Sequence, residues 1–154
     1  MKLLFKYSLI VALTIFSALC AYDNIIEVRT DEAPQAIGPY SQAVQAGQYL
    51  FVSGQLSIDP ASNKLIGNTI GEQTSQVLNN IESILQAQGL TLKDVVKAEV
   101  YLKDMNDFKG MNSVYTERFS HAVKPARQAM QVARLPLDAL VEISCIAFIP
   151  TSLN

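Results

Sequence analysis

Lys124 to Phe148 reads KPARQAMQVARLPLDALVEISCIAF. Two strand-like runs flank Leu135-Pro136-Leu137-Asp138, where proline fixes φ and aspartate can bond its own backbone, so the spacing predicts a β-hairpin. Alternate residues of the second run share a face. Val141, Ile143, Cys145 and Ala147 make one face wholly apolar; Leu140, Glu142, Ser144, Ile146 and Phe148 make the other. A carboxylate in such company is costly unless something pairs with it or uses it. Glu142 is therefore either a strand residue reaching solvent or a structural partner, or a desolvated general base. Arg127, after Pro125-Ala126 and with no acidic neighbour close in sequence, is either a surface cation or a two-pronged carboxylate receptor. A hairpin centred near Pro136 would offset the two by several residues.

Working outward, Asp94–Leu102 alternates, with Val96, Ala98, Val100 and Leu102 on one face and Lys97, Glu99 and Tyr101 on the other. Between them, residues from Phe108 to His121 suit a helix with Phe108, Met111, Val114, Tyr115 and Phe119 near one stripe. Asn112 lies beside that stripe, as an exposed polar residue or a site residue. His121 falls where a cation would cap the helix end. Upstream, Val77, Leu78, Ile81, Ile84 and Leu85 mark an amphipathic helix stopped by Gly89. Ile25–Arg29, Ser41–Ala46 and Gln48–Ser53 read as strands, the last two paired around Gly47. Gly54 marks a close backbone approach. Tyr40 ends the Gly38-Pro39 turn, as a rim residue or as a ring offered to a ligand. Two helices that connect strands should cover one face of a mixed sheet. The face carrying Glu142 then stays open, and other copies of the chain are the economical cover for it.

Composition narrows the function. The chain has 154 residues, 49% hydrophobic and 17% charged, which fits one domain with a genuine core. Twelve Lys and Arg against 14 Asp and Glu give a net charge of −2, or −4 once Lys2 and Lys6 are removed with a leader. No run of Lys or Arg appears, which argues against a nucleic-acid surface. Two cysteines and one histidine leave almost no material for a His/Cys metal site. Residues 1–21 have a basic start, then SLIVALTIFSALCA from Ser8 to Ala21, and are expected to be a signal peptide cut after Cys20 or Ala21. A lipoprotein or an uncleaved anchor is the alternative, although Leu19 is bulky for a lipoprotein box. The domain then spans residues 22–154, exported to the periplasm or secreted, with no stable membrane association and with Cys145 as its sole thiol.

AIGPYSQAV at Ala36–Val44, FVSGQ at Phe51–Gln55, VYLKDMNDF at Val100–Phe108 and PARQAMQVARLPLDALVEI at Pro125–Ile143 resemble the RidA family. These are YjgF-type reactive-intermediate (imine/enamine) deaminases, also named endoribonuclease L-PSP. The resemblance spans Ile26–Ile149 and implies a chorismate-mutase-like α/β fold: a mixed sheet with two helices on one face, assembled as a homotrimer with clefts between subunits. It implies that Arg127 holds a substrate carboxylate and that Glu142 orients or activates a water. Tyr40 and Asn112 would line the cleft, and backbone groups at Ala129, where many members carry Cys, would contribute. The implied reaction is hydrolysis of 2-imino acids, 2-iminobutanoate and 2-iminopropanoate among them, to 2-oxo acids and ammonia, with no metal, flavin or pyridoxal phosphate required. A non-catalytic trimer that binds small carboxylates outside the cytoplasm is the alternative. RNA cleavage, suggested by the older family label, is disfavoured by the charge.

Overall fold

In the computed structural model, which describes residues 25–150, two helices lie on one face of a six-stranded sheet. The expected leader, with Cys20 and its cleavage site, falls outside the described residues. The strands are β1 (Ile25–Val28), β2 (Ala43–Ala46), β3 (Tyr49–Gln55), the short pair β4 (Ile58–Asp59) and β5 (Lys64–Leu65), β6 (Val95–Leu102), β7 (Ala126–Gln131) and β8 (Val141–Phe148). The helices are α1 (Ile70–Gln86) and α2 (Phe108–Arg118). The sheet runs β1-β2-β3-β8-β6-β7, with β4 and β5 forming a separate two-stranded ribbon.

α1 begins where the sequence supplies a capping box. The Thr69 hydroxyl accepts from the Glu72 N–H at 3.3 Å, and the Glu72 carboxylate accepts from the Thr69 N–H at 3.0 Å. The backbone N–H groups of Asn68 and Thr69, both donating to it, hold the Glu72 carboxyl below the usual range. Val77, Leu78, Ile81, Ile84 and Leu85 are buried beneath it, each worth about 1.5–3 kcal/mol of transfer free energy. Gly89, with φ of 67°, ends the segment as expected. Gly47, with φ of 58°, turns β2 into β3.

The hairpin expected between Ala126 and Phe148 does not form. β7 pairs with β6, in parallel, and β8 pairs with the other edge of β6 and with β3. The unit β6–α2–β7 is a crossover that lays β7 beside β6, and β6 thereby separates the two runs. The Pro136 turn is real, but it arches over the end of β6 instead of joining neighbours. Val132 N–H donates to Leu102 O at 3.0 Å, Lys103 N–H donates to Leu140 O at 3.0 Å, and Lys103 Nζ bonds Asp138 at 2.6 Å. Leu137 (φ 55°) and Asp138 (φ 58°) take left-handed backbone in that arch. Alternation correctly identifies a strand but carries no information about its neighbour.

β8 keeps the two faces read from its sequence. Val141, Ile143, Cys145 and Ala147 are buried in the core with α1 and α2. Burial pushes the Cys145 thiol up to about 12, so it behaves as a small apolar side chain. β6 differs from its expected alternation at one end. A bulge between Val95 and Lys97 buries Val95 and leaves Val96 44% exposed. His121 does not cap α2. The ammonium of Lys124 donates to the Phe119 carbonyl, while the His121 ring lies near Phe119 with Nε2 buried and unbonded.

Candidate active site

The helix side of β7 holds one group of candidate residues. Arg127 is in register with Ala98, whose side chain is in the core, so its guanidinium emerges on the helix face. There it stacks on α2. Its central carbon is 4.5 Å from the Tyr115 ring centroid and 5.7 Å from that of Phe108. Those two aromatics, seven residues apart, share one helix face. Arg127 makes no ion pair among the described residues. It borders a cleft of about 320 Å³ with Asn112, Tyr115, Thr116, Phe119, Lys124 and Pro125. Burial pushes the Tyr115 hydroxyl up to about 12, against the pull of Arg127, so the ring is a neutral platform. Ala129 sits on the same face of β7, partly buried against the core. β7 is the outer strand, which leaves backbone groups on its free edge available to a ligand.

The open face of the sheet holds the other group. Glu142 is in register with Tyr101, across the sheet from the helices. It accepts no hydrogen bond and makes no ion pair among the described residues, and burial raises its pKa above the usual 4.5. Gly54 explains its position. The β3–β8 ladder slips between Val52 and Gln55, and a Cβ added at Gly54 would stand 1.9 Å from Glu142 Oε1. The close approach expected at Gly54 is therefore to the candidate general base.

A short chain of bonds ties the strand segment beside Glu142 to the loop of Tyr40. Ser53, just before Gly54, donates through Oγ to Ser41 O at 2.7 Å and through its N–H to Gln42 O at 3.0 Å. The buried Gln42 amide in turn bonds Thr30, Ala33 and Pro34, fixing the loop that presents Tyr40. Tyr40 itself is 52% exposed. Within one chain, then, the expected site residues form two groups on opposite faces. Arg127, Asn112 and Ala129 form one, Glu142 stands on the other, and Tyr40 lies in the exposed loop tied to Ser53.

Beside Glu142 the open face carries a polar cluster centred on Glu99. Lys97 (2.7 Å), Tyr101 (3.1 Å), Gln128 (3.2 Å) and Ser144 (3.4 Å) all donate to its carboxylate. The bonds from Lys97 and Tyr101 hold Glu99 below the usual range. Ser144 thus serves Glu99 and not Glu142. Around the cluster lie the exposed Phe51, Met130, Tyr49 and Phe148. Among the described residues no three His, Cys, Asp or Glu side chains gather as a metal site would need, and no helix is long and apolar enough to cross a membrane.

A family model described as endoribonuclease L-PSP matches residues 30–149. The chain belongs to this family, which includes the RidA proteins. Its endoribonuclease L-PSP domain is 55% identical over 119 residues to a RutC family protein of Pyrococcus horikoshii, covering 77% of this chain and 94% of the relative. It is 48% identical over 120 residues to the 2-iminobutanoate/2-iminopropanoate deaminase of Bos taurus, covering 78% and 87%. Among solved structures, E. coli TdcF with bound serine superposes with a TM-score of 0.77 at 38% identity, over 81% of this chain and 99% of that one. The mixed sheet with two helices on one face is the fold of this family.

Three contributors escaped the sequence reading. Tyr115 and Phe108 figured only as an apolar stripe, although their seven-residue spacing was a signal for a shared face. Lys124 carried no signal, because only the folded chain brings it to the end of α2 and into the cleft.

Proposed function

We propose that this chain hydrolyses 2-imino acids such as 2-iminobutanoate and 2-iminopropanoate, and the enamines that tautomerise to them, in sites formed between copies. The observation that carries this reading is a planar guanidinium in a cleft, stacked on two rings and lacking any carboxylate partner. Such a group is a preorganised receptor for a carboxylate. The named activity of the Bos taurus relative, and the serine held by TdcF, agree with a small amino-acid-derived ligand.

Arg127 fixes the carboxylate in a bidentate pair, with Asn112 and the backbone at Ala129 bordering the ligand. Glu142 lies on the other face of its own sheet, so the Glu142 and Tyr40 of a neighbouring copy complete each site. A closed ring of three copies meets this need and covers the open face with its exposed aromatics. Water adds to the imine carbon as Glu142 takes its proton. The same carboxyl returns that proton to nitrogen, giving the carbinolamine, then takes the hydroxyl proton and passes it to the amine as the C–N bond breaks, so that ammonia leaves and the 2-oxo acid remains. A carboxyl with a raised pKa suits both transfers. Positioning supplies the rest of the acceleration.

The test generates 2-iminopropanoate and 2-iminobutanoate in situ and follows 2-oxo acid formation in competition with semicarbazide. Rapid turnover is expected. Saturable binding of 2-oxobutanoate without turnover would replace the enzyme with the carboxylate-binding reading. The leader over residues 1–21 extends the proposal to an exported deaminase. Mass spectrometry of exported protein should then find a start at Ala21 or Tyr22, and an intact Met1 would exclude cleavage.

A further inference from the structure

The cleft that holds Arg127 carries a second cation which hydrolysis of a simple imino acid does not use. Lys124 lines the same cavity, three residues before Arg127. Asn112, Tyr115, Thr116, Phe119 and Pro125 complete the lining, with no carboxylate among them. Neither cation makes an ion pair among the described residues. One N–H of Lys124 goes to the Phe119 carbonyl at the end of α2. An ammonium has three donors, so two remain. The helix end offers only about half a negative charge in return, so the wall that one chain lines is positive beyond what one carboxylate would neutralise. Its 320 Å³ is also generous for a ligand with only a methyl or ethyl group beyond the carboxylate.

Building on the deaminase reading, we propose that the site is specific for imines of dicarboxylic amino acids, with Arg127 on the 1-carboxylate and Lys124 on the distal one. The fork of Arg127 demands a planar partner and fixes the reacting end. The single point charge of Lys124 tolerates a distal carboxylate at the end of a flexible chain. Hydrolysis proceeds as above: water's oxygen replaces nitrogen, ammonia leaves, and the product is a 2-oxodicarboxylate.

The experiment compares kcat/KM for 2-iminosuccinate and 2-iminoglutarate with that for 2-iminopropanoate. Each is generated in situ by an amino-acid oxidase and read against semicarbazide trapping. The expected result is a preference for the dicarboxylates of about tenfold or more, as a charge-assisted bond affords. In Lys124→Gln, whose amide can still donate to Phe119, that preference should fall about tenfold. Should Lys124→Gln lose its fold, Thr116→Asp puts an anion on the same wall at an exposed helix position and should lower the same ratio. Equal or better turnover of 2-iminopropanoate by the unmodified protein would overturn the dicarboxylate assignment while leaving the deaminase standing. Hydrolysis of none of the three would overturn both.

Discussion

Arg127 and Glu142 are held by opposite means. Arg127 sits on an outer strand, propped from below by the rings of Tyr115 and Phe108, and its charge is permanent. Glu142 sits on an inner strand, pressed against a glycine at a slip in the ladder, and burial makes its charge conditional. In the proposed reaction one group is a fixed anchor and the other a proton carrier. Each needs a different support, and one sheet supplies both by using its two faces. On the proposed reading, neither face holds a complete site.

The sharpest way to break this division is to disable each half in a different chain. Arg127→Ala should lower kcat/KM about 10³-fold, since truncating one partner of a charged pair costs several kcal/mol. Glu142→Gln should lower kcat about 10²-fold while 2-oxobutanoate still binds. Mixing the two inactive variants, dissociated and reassembled together, should restore about a quarter of the sites if the halves meet between copies. No recovery would mean that each chain carries its own complete site.

The acid–base half can be probed by pH. A folded-state pKa raised above 4.5 means that the stability tied to protonated Glu142 is full below that value and is lost as pH rises through the raised pKa. Glu142→Gln should therefore melt higher than the unmodified protein at pH 7, an advantage that vanishes below pH 4.5. Equal melting temperatures at both pH values would show that Glu142 is not desolvated in the assembly.

Two smaller effects sharpen the contrast in supports. In Gly54→Ala the new methyl meets Glu142 Oε1 at 1.9 Å, and the carboxylate, the free end of a flexible side chain, swings aside. Activity should fall about tenfold with little loss of melting temperature. Tyr115→Leu removes one platform beneath Arg127 and should raise KM about fivefold, with kcat less affected. Tyr115→Phe keeps the ring and should restore the KM. If Phe fails to rescue, the hydroxyl and not the ring supports the arginine.

Much of this was legible because local rules sufficed. The apolar stripe of α1 and its stop at Gly89, the two faces of β8, the turn at Gly47 and the anomaly of a carboxylate on an apolar strand all follow from periodicity and from what individual side chains tolerate. Gly54 advertised a close approach without naming its partner. The hairpin expectation failed where information was non-local, since nothing in Ala126–Phe148 reveals that β6 lies between its two runs. His121 had the position of a cap and lost it to Lys124, whose longer reach to the Phe119 carbonyl depends on how the chain turns after α2.

By itself, the sequence singled out Arg127 and Glu142 as candidates, because an arginine with no acidic neighbour close in sequence and a carboxylate on a mostly apolar strand face are features of residue type and pattern. Tertiary structure alone decided that they stand on opposite faces of one sheet, because strand order is set by the β6–α2–β7 crossover, and no run of side chains records which strand will lie beside it.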